Sequence, residues 1–381
     1  MSQMAAALLP ATTSSSFFMV QLSDPQLGLE HGGSPWHDEQ AMLNATLLQI
    51  NRLQPRFAVL TGDMQNWFPT AHSPDDQGGK ELAAVQQSLS LLSSRVPLRA
   101  TLPGNHDVGD VPTATTLKRY AQHWGGSDRG SFDEDGIRFV AIDSQLYWNS
   151  SMPGVQALAG QQTGWLSQQL DAAAQQGTEA VVLLSHIPPF IVASDEPSGW
   201  ANWPQDTRDA LLRMSQAKPV PPSLVVAGHF HANLEGGASS DAYGARVEVV
   251  TSSSVGCPIR WNGSDTGTLA PDVALAVATE PSGSAAFMNW VVRNGTSVGD
   301  PDFGLKTSRI AAGPGRSGVR LYEFDATAGY RHRWFTLRQL EALQAPLAGG
   351  DASPLAGAAF TKWTRRSARA SRVKRVELRR L

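Results

Sequence analysis

The chain has 381 residues, of which 41% are hydrophobic and 17% charged, and its formal net charge is -3. These proportions are those of an ordinary globular protein, and the charge argues against a nucleic-acid coat protein or a membrane-surface binder. A single cysteine, Cys257, excludes an internal disulfide framework and favours a reducing compartment, so we expect a cytoplasmic protein.

Residues 1–16 are expected to form a disordered N-terminus. They are rich in Ser, Thr and Ala and lack acids, so a transit peptide is the alternative, although the segment contains no Arg. No stretch of the chain approaches ~18 continuous apolar residues, and no membrane span is predicted.

From residue 17 onward, short apolar runs alternate with segments of helical periodicity. The predicted strands cover 17–22, 57–60, 98–102, 137–142, 180–184 and 223–227. The predicted helices between them cover 38–53, 81–92, 114–124, 164–175 and 206–215. This alternation predicts an α/β fold with buried strands.

The chain changes character after residue 231. Segments 247–251, 319–324 and 330–337 are predicted to be strands of a second sheet. One domain is therefore expected over residues 17–345, with a Gly-, Ser-, Pro- and Thr-rich insertion at about 262–317.

Residues 346–381 are read as a linker followed by a basic C-terminal tail. The segment 362–380 contains nine Lys and Arg residues and one acid, Glu377. This pattern favours a solvated tail, and its alternative is a surface that binds an anionic partner. Because the chain as a whole is slightly acidic, nucleic acid is not an expected partner.

Polar residues follow the predicted strands directly, where each strand ends. In α/β sheets ligands bind at the carboxyl ends of the strands, so these side chains are expected to share one rim. They are Asp24, Asp63, Asn105, His106, His186, His229 and His231.

This set of residue types suits metal binding. Borderline transition metals accept imidazole together with oxygen ligands. Two aspartates, one asparagine and three histidines suit two ions that share a carboxylate, an arrangement that stabilises both the attacking and the leaving oxygen at phosphorus. Each short motif is weak alone, since Gly62-Asp63 is also typical of a turn or a helix cap.

The order of the motifs carries more information than any one of them. They run Asp24-Pro25-Gln26, Gly62-Asp63, Gly104-Asn105-His106-Asp107, His186 and Gly228-His229-Phe230-His231. Over residues 17–260 this series resembles the calcineurin-like metallophosphoesterase superfamily. The resemblance implies a two-sheet β-sandwich flanked by helices, in four layers α/β/β/α. Segments 23–28, 104–109, 112–114, 143–147, 252–257 and 334–337 further resemble one subgroup that contains serine/threonine-protein phosphatases.

The resemblance also implies a role for each matching residue. One ion would be held by Asp24, Asp63 and His231, with Gln26 where most of the superfamily has histidine. The second ion would be held by the bridging Asp63 with Asn105, His186 and His229. His106 would be the general acid or a phosphate-contacting residue, held in place by Asp107. The implied cofactors are two divalent ions, drawn from Mn, Fe, Mg and Zn.

Gln26 is the main departure from the superfamily pattern. An amide oxygen is a harder and weaker ligand than imidazole, which favours Mn²⁺, Mg²⁺ or Fe over Zn²⁺ at the first site. The alternative is that Gln26 contacts only a bound water. Residues 62–66 also lack the tyrosine ligand of purple acid phosphatases, which argues against that branch.

Other polar and aromatic residues near the predicted rim have simpler interpretations. Asp143 is expected to cap a strand end and not to bind metal. Aromatic residues in the rim loops either pack in the interior or wall the substrate pocket. They are Trp36, Trp67, Tyr147, Trp148, Trp200 and Trp203.

The leading hypothesis is hydrolysis of a phosphomonoester, extending to phosphoserine or phosphothreonine on protein. Metal-bridging hydroxide would attack phosphorus, and His106 would protonate the leaving alkoxide. The expected partner is a phosphorylated protein or small molecule. Two alternatives are a phosphodiesterase acting on a nucleotide or lipid head group, and a non-catalytic scaffold with a degraded site, for which Gln26 is the one supporting feature.

Overall fold

The computed structural model describes residues 16–30, 35–69, 76–125, 129–238, 247–258, 313–343, 354–355 and 361–363. Residues 1–15 of the predicted disordered N-terminus, nearly all of the predicted insertion and most of the predicted tail lie outside these residues. The strands are β1 (Phe17–Leu22), β2 (Phe57–Leu60), β3 (Leu98–Thr101), β4 (Gly130–Glu134), β5 (Ile137–Ala141), β6 (Ala180–Leu184), β7 (Pro222–Ala227), β8 (Leu234–Ala238), β9 (Val247–Thr251), β10 (Gly318–Asp325) and β11 (Gly329–Thr336). The helices are α1 (His37–Leu53), α2 (Asp76–Leu89), α3 (Asn105–Val108), α4 (Ala114–His123), α5 (Gln145–Trp148), α6 (Pro153–Gln175), α7 (Gln205–Gln216) and α8 (Leu337–Ala342).

The strands form two sheets. The five-stranded sheet has the order β11-β10-β1-β2-β3, with β1, β2 and β3 parallel. The six-stranded sheet has the order β4-β5-β6-β7-β9-β8, with β5, β6, β7 and β9 parallel and an antiparallel strand at each edge.

The prediction that the three late strands form a sheet of their own is wrong. β9 pairs with β7 inside the six-stranded sheet, whereas β10 pairs with β1 and carries β11 at the edge of the other sheet. A strand's apolar pattern predicts its burial but not its partner, because the partner depends on where the chain returns. The first seven residues of β10 are buried, as expected of a strand flanked on both sides.

Side chains from the two sheets meet in a common core. Phe17, Met19 and Phe57 of the five-stranded sheet pack against Phe139 and Val182 of the six-stranded sheet. The ring centroids of Phe57 and Phe139 are 5.2 Å apart in an edge-to-face arrangement, which is favourable for aromatic pairs. Because side chains alternate along a strand, neighbours such as Val20 point to the opposite face, where helices cover them.

Helices cover both outer faces. α1 buries Leu43, Leu47 and Ile50 against the five-stranded sheet, at the spacing of one helical face. α6 and α7 cover the six-stranded sheet in the same manner with leucine side chains. The predicted four-layer α/β/β/α architecture is confirmed. No helix in the described ranges is long and apolar enough to cross a membrane.

Candidate metal centre

The loops that follow the parallel strands of the two sheets meet at one edge of the sandwich. Gln21 in β1 donates from Nε2 to the carbonyl of Ala227 at 2.8 Å, and His186 after β6 donates from Nδ1 to the carbonyl of Thr61 at 2.7 Å. These bonds join the carboxyl ends of the two sheets. The polar residues predicted to share a rim therefore do so, although the rim belongs to two sheets.

Most ligand residues predicted here have left-handed backbone conformations. Seven non-glycine residues in the described part of the chain have positive φ, and five of them are predicted metal ligands. These are Asp24 (49°), Gln26 (38°), Asp63 (51°), His229 (70°) and His231 (55°). Such conformations are unfavourable for most residues and cluster at functional sites, where the surrounding structure enforces them.

Two motif glycines allow the loops to approach closely. Gly62 has φ +94°, and a Cβ there would lie 2.4 Å from Nδ1 of His186. A Cβ on Gly228 would lie 2.6 Å from Oδ2 of Asp24. Both distances are too short for any side chain, so glycine is required where the loop backbones pass the ligand side chains.

Main-chain carbonyl groups orient the histidine rings. Nδ1 of His186 faces the Thr61 carbonyl, Nε2 of His229 faces the Trp200 carbonyl at 3.0 Å, and Nδ1 of His231 faces the Cys257 carbonyl at 2.6 Å. A carbonyl only accepts hydrogen bonds, so each of these nitrogens carries its ring's proton. The opposite nitrogen of each ring is left as an acceptor, the form in which histidine binds a metal.

Four acceptor atoms converge at the first of two ligand clusters. Nε2 of His186 lies 3.3 Å from Oδ2 of Asp63, 3.2 Å from Oδ1 of Asn105 and 3.1 Å from Nδ1 of His229. The asparagine amide is fixed because its Nδ2 donates to Asp110 at 3.0 Å, which turns Oδ1 inward. Acceptors this close repel each other unless a cation lies between them, so the donor set fits a metal ion.

Burial and charge separate the pKa values of the two histidines in this cluster. Burial lowers the pKa of His186, but the Asp63 carboxylate beside it outweighs burial and raises this pKa to about 9. Burial and repulsion from His186 lower the pKa of His229 to about 3.

The second cluster shares Asp63 with the first. Ligand atoms of Asp24, Asp63 and His231 all lie within 4.8 Å of one another, and Nε2 of His231 is 3.6 Å from Oδ1 of Asp24. Gln26 is 2% exposed, and its Oε1 has no hydrogen-bond partner among the described residues. A buried acceptor without a donor is unfavourable, and a metal ion or a metal-held water would satisfy it.

His106 lies beside the shared carboxylate, and its ring is not held by Asp107 as expected. Nδ1 of His106 lies 2.5 Å from the carbonyl of Asn66. The Asp107 carboxylate instead accepts from the backbone N–H groups of Asp63, Met64 and Gly104 at 2.8, 3.0 and 2.8 Å. Asp107 therefore fixes the loop that carries Asp63. Its carboxylate oxygens accept from these three backbone donors and not from the His106 ring.

The other polar and aromatic residues named in the sequence analysis either pack in the interior or lie near the ligand clusters. Asp143 accepts from the backbone N–H of Gln145 at 2.9 Å, which is the predicted capping role. Tyr147 and Trp203 are buried and pack with ring centroids 5.2 Å apart. The Trp200 ring lies 5.2 Å from the His229 ring, whereas Trp67 is 43% exposed.

Comparison with known proteins identifies the family. No protein-family model matches the chain. The chain is 31% identical over 278 residues to serine/threonine-protein phosphatase CPPED1 of Danio rerio, covering 70% of this chain and 82% of that protein. This chain belongs to the CPPED1 family. The Rattus norvegicus member is 31% identical over 271 residues, covering 68% of this chain and 81% of its own length.

Among solved structures, purple acid phosphatase PPD1 from yellow lupin seeds has a TM-score of 0.50 at 12% identity, covering 93% of this chain and 55% of that chain. This likeness concerns the fold alone. Membership of the CPPED1 family confirms the resemblance found in the sequence, and this member is a metal-dependent phosphoesterase. Its two ligand clusters provide for two metal ions.

Proposed function

We propose that this CPPED1-family member hydrolyses phosphomonoesters, with phosphoserine and phosphothreonine of proteins as its substrate class. The observation that supports this most directly is Asp63, a buried carboxylate common to two ligand clusters. A shared carboxylate holds two ions side by side, the arrangement used for in-line displacement at phosphorus. The substrate class follows from the relatives, which are serine/threonine-protein phosphatases.

In this proposal the chain's residues divide into two ligand sets. Asp24, Gln26 and His231 hold one ion together with Asp63, and Asn105, His186 and His229 hold the other. Bound there, the ions would supply Lewis acidity at the phosphoryl group and lower the pKa of a water molecule. The amide ligand Gln26 favours Mn²⁺, Mg²⁺ or Fe over Zn²⁺ at the first position.

His106 is the proposed general acid. Its backbone N–H donates to Oδ1 of Asp63 at 2.9 Å, which places the residue next to the shared ligand. With Nδ1 committed to the Asn66 carbonyl, Nε2 is the atom that would transfer a proton to the leaving oxygen. The Phe68 ring packs over this imidazole, with centroids 3.9 Å apart, and limits its rotation.

The test uses the full chain reconstituted with Mn²⁺ and assayed on matched substrates. An aryl phosphate and a bis-aryl phosphate separate monoesterase from diesterase activity, and phosphoserine, phosphothreonine and phosphotyrosine peptides define the substrate class. We expect turnover of the monoester and of the first two peptides. Faster turnover of the diester would replace the proposal with a phosphodiesterase acting on a nucleotide or lipid head group.

A pair of aspartate variants ties this activity to the metal centre. Asp63→Ala removes the shared ligand, so we expect loss of activity and of bound metal. Asp135→Ala is the matched control, because Asp135 also has a left-handed backbone, with φ 42°, but lies in the turn between β4 and β5. The Asp135→Ala variant should retain both its activity and its bound metal. Activity in Asp63→Ala at the wild-type level would contradict the assignment.

A further inference from the structure

A second kind of ligand set lies beside the loop that carries Gln26. The side chains of Glu30, Glu39 and Cys257 each place one ligand atom within 4.8 Å of the other two. Glu39 is on α1 and Cys257 follows β9, so the set joins three separate parts of the chain. None of these residues belongs to the two clusters that share Asp63.

The hydrogen bonds of Glu39 are unequally distributed over its carboxylate. Oε1 accepts from the backbone N–H groups of Gly28 at 3.2 Å and Glu30 at 3.0 Å, and the Cys257 thiol lies 3.7 Å from it. Oε2 is buried and has no hydrogen-bond partner among the described residues. The whole side chain is 0% exposed. A buried carboxylate oxygen without a donor is unfavourable, and a cation bound between this carboxylate and the thiol would satisfy it.

The spacing of the thiol and carboxylate suits a tetrahedral metal ion. With Zn–S near 2.3 Å and Zn–O near 2.0 Å, neighbouring ligand atoms on one ion lie roughly 3.5 Å apart. The Cys257 Sγ to Glu39 Oε1 distance of 3.7 Å is close to that value. A thiolate selects soft or borderline ions over Mg²⁺ and Mn²⁺.

We propose that Glu30, Glu39 and Cys257 form a third metal site, distinct from the two-metal centre, that takes a thiophilic divalent ion such as Zn²⁺ or Cd²⁺. Binding replaces the thiol proton with the metal ion, and the proton passes to solvent. Three protein ligands leave one coordination position for water. The Cys257 carbonyl also accepts the Nδ1–H of His231, so one residue of the third site orients a proposed ligand of the two-metal centre.

The experiment uses the fact that the chain contains one cysteine. Protein preloaded with Mn²⁺ is titrated with Cd²⁺ while the ultraviolet thiolate-to-cadmium charge-transfer absorption is followed. Cd²⁺ that exchanges into the two-metal centre gives no such band, because that centre has no sulfur ligand. We expect the band to develop with one equivalent of Cd²⁺ per chain and to be absent in Cys257→Ser.

The carboxylate variant distinguishes a built site from a cysteine that binds Cd²⁺ alone. Glu39→Gln keeps an oxygen that accepts from Gly28 and Glu30 but loses the charge, so we expect the band to require ~10–100-fold more Cd²⁺. Glu235→Gln is the matched control. It neutralises an acid in the set Glu235, Glu248 and His332, which contains no cysteine, and should leave the titration unchanged.

Two results would overturn the proposal. One is the absence of a charge-transfer band in wild-type protein that still unfolds cooperatively on heating at saturating Cd²⁺. The other is an identical titration for Glu39→Gln, which would show that the carboxylates do not take part.

Discussion

Gln26 combines an unusual residue type with an unusual environment. It stands where the superfamily pattern has histidine, its φ is 38°, and its buried Oε1 has no partner among the described residues. Gln26→His restores imidazole, which favours later transition metals. We expect the variant to retain Zn²⁺ or Fe²⁺ about 10–100-fold more strongly than wild type during dialysis against a chelator. Equal retention across Mn²⁺, Fe²⁺ and Zn²⁺ would show that Gln26 contacts only water.

His106 offers a second test at the scale of one residue, because its ring is hydrogen-bonded to the Asn66 carbonyl and packs against Phe68. His106→Ala should keep its full metal content and lose ~10²–10⁴-fold in kcat, the usual range for a general acid. Metal content is measured by elemental analysis after gel filtration. His123→Ala, at an exposed position on α4, should behave as wild type. If metal is lost with His106, the residue is a ligand and its assignment is wrong.

The sequence predicts which side chains converge at the candidate metal centre, because the motifs contain them. It does not predict the groups that orient these ligands. The carbonyl groups of Thr61, Trp200 and Cys257 belong to residues whose side-chain types carry no signal for this role. Asp110, which fixes the Asn105 amide, lies in the turn after α3, and its position five residues beyond Asn105 is the one sequence clue to this role.

At the scale of elements, the turn after β2 is constrained by its contact with the loop after β6. Gly62→Ala places a Cβ 2.4 Å from Nδ1 of His186 in a backbone with φ +94°. Gly177→Ala is the matched control, since its φ is +72° and its Cβ would meet nothing within 4 Å. Both variants should lose about 1 kcal/mol from backbone strain.

Only Gly62→Ala should lose more than this amount of unfolding free energy, because its Cβ displaces the His186 ring. For the same reason, only Gly62→Ala should lose bound metal. Urea unfolding in chelator gives the free energy of unfolding for each variant without a contribution from metal, and elemental analysis gives the metal content. Equal destabilisation and full metal retention in both variants would show that the clash is relieved without displacing the ligand.

The elements that the sequence did not predict share a weak local signal. α6 begins at Pro153, eleven residues before the predicted start at Gly164. The sequence pattern missed this first part of the helix because Gly154 and Gly160 interrupt its apolar periodicity. β4 has one apolar side chain, Phe132, and is an edge strand. β8 contains Gly236 and Gly237 and no β-branched residue. Tertiary pairing stabilises these segments where intrinsic propensity does not.

At the scale of the whole molecule, the metal centre joins the two sheets. Asp24, Asp63 and Asn105 follow β1, β2 and β3 of one sheet, whereas His186 and His229 follow β6 and β7 of the other. Ions bound there stabilise the folded chain because the unfolded chain has no such site. At a free metal concentration 100 times Kd the gain is about 2.7 kcal/mol.

Chelation should therefore lower the Tm of wild-type protein by on the order of 5 °C, and added Mn²⁺ should restore it. Differential scanning fluorimetry with and without chelator measures the shift. Asp63→Ala, which lacks the shared ligand, should show no response to either treatment. A wild-type Tm that changes with neither chelator nor Mn²⁺ would contradict tight binding of metal ions between the two sheets.

The carbonyl groups that hold the histidine protons have a consequence for protein engineering. A designer who grafts the seven proposed ligand side chains onto another sandwich would transfer their chemistry but not their tautomers. Without the backbones of residues 61, 200 and 257, each imidazole is free to present either nitrogen. The smallest transplantable unit is thus the ligand loops together with three stretches of main chain, whose own side chains are open to redesign.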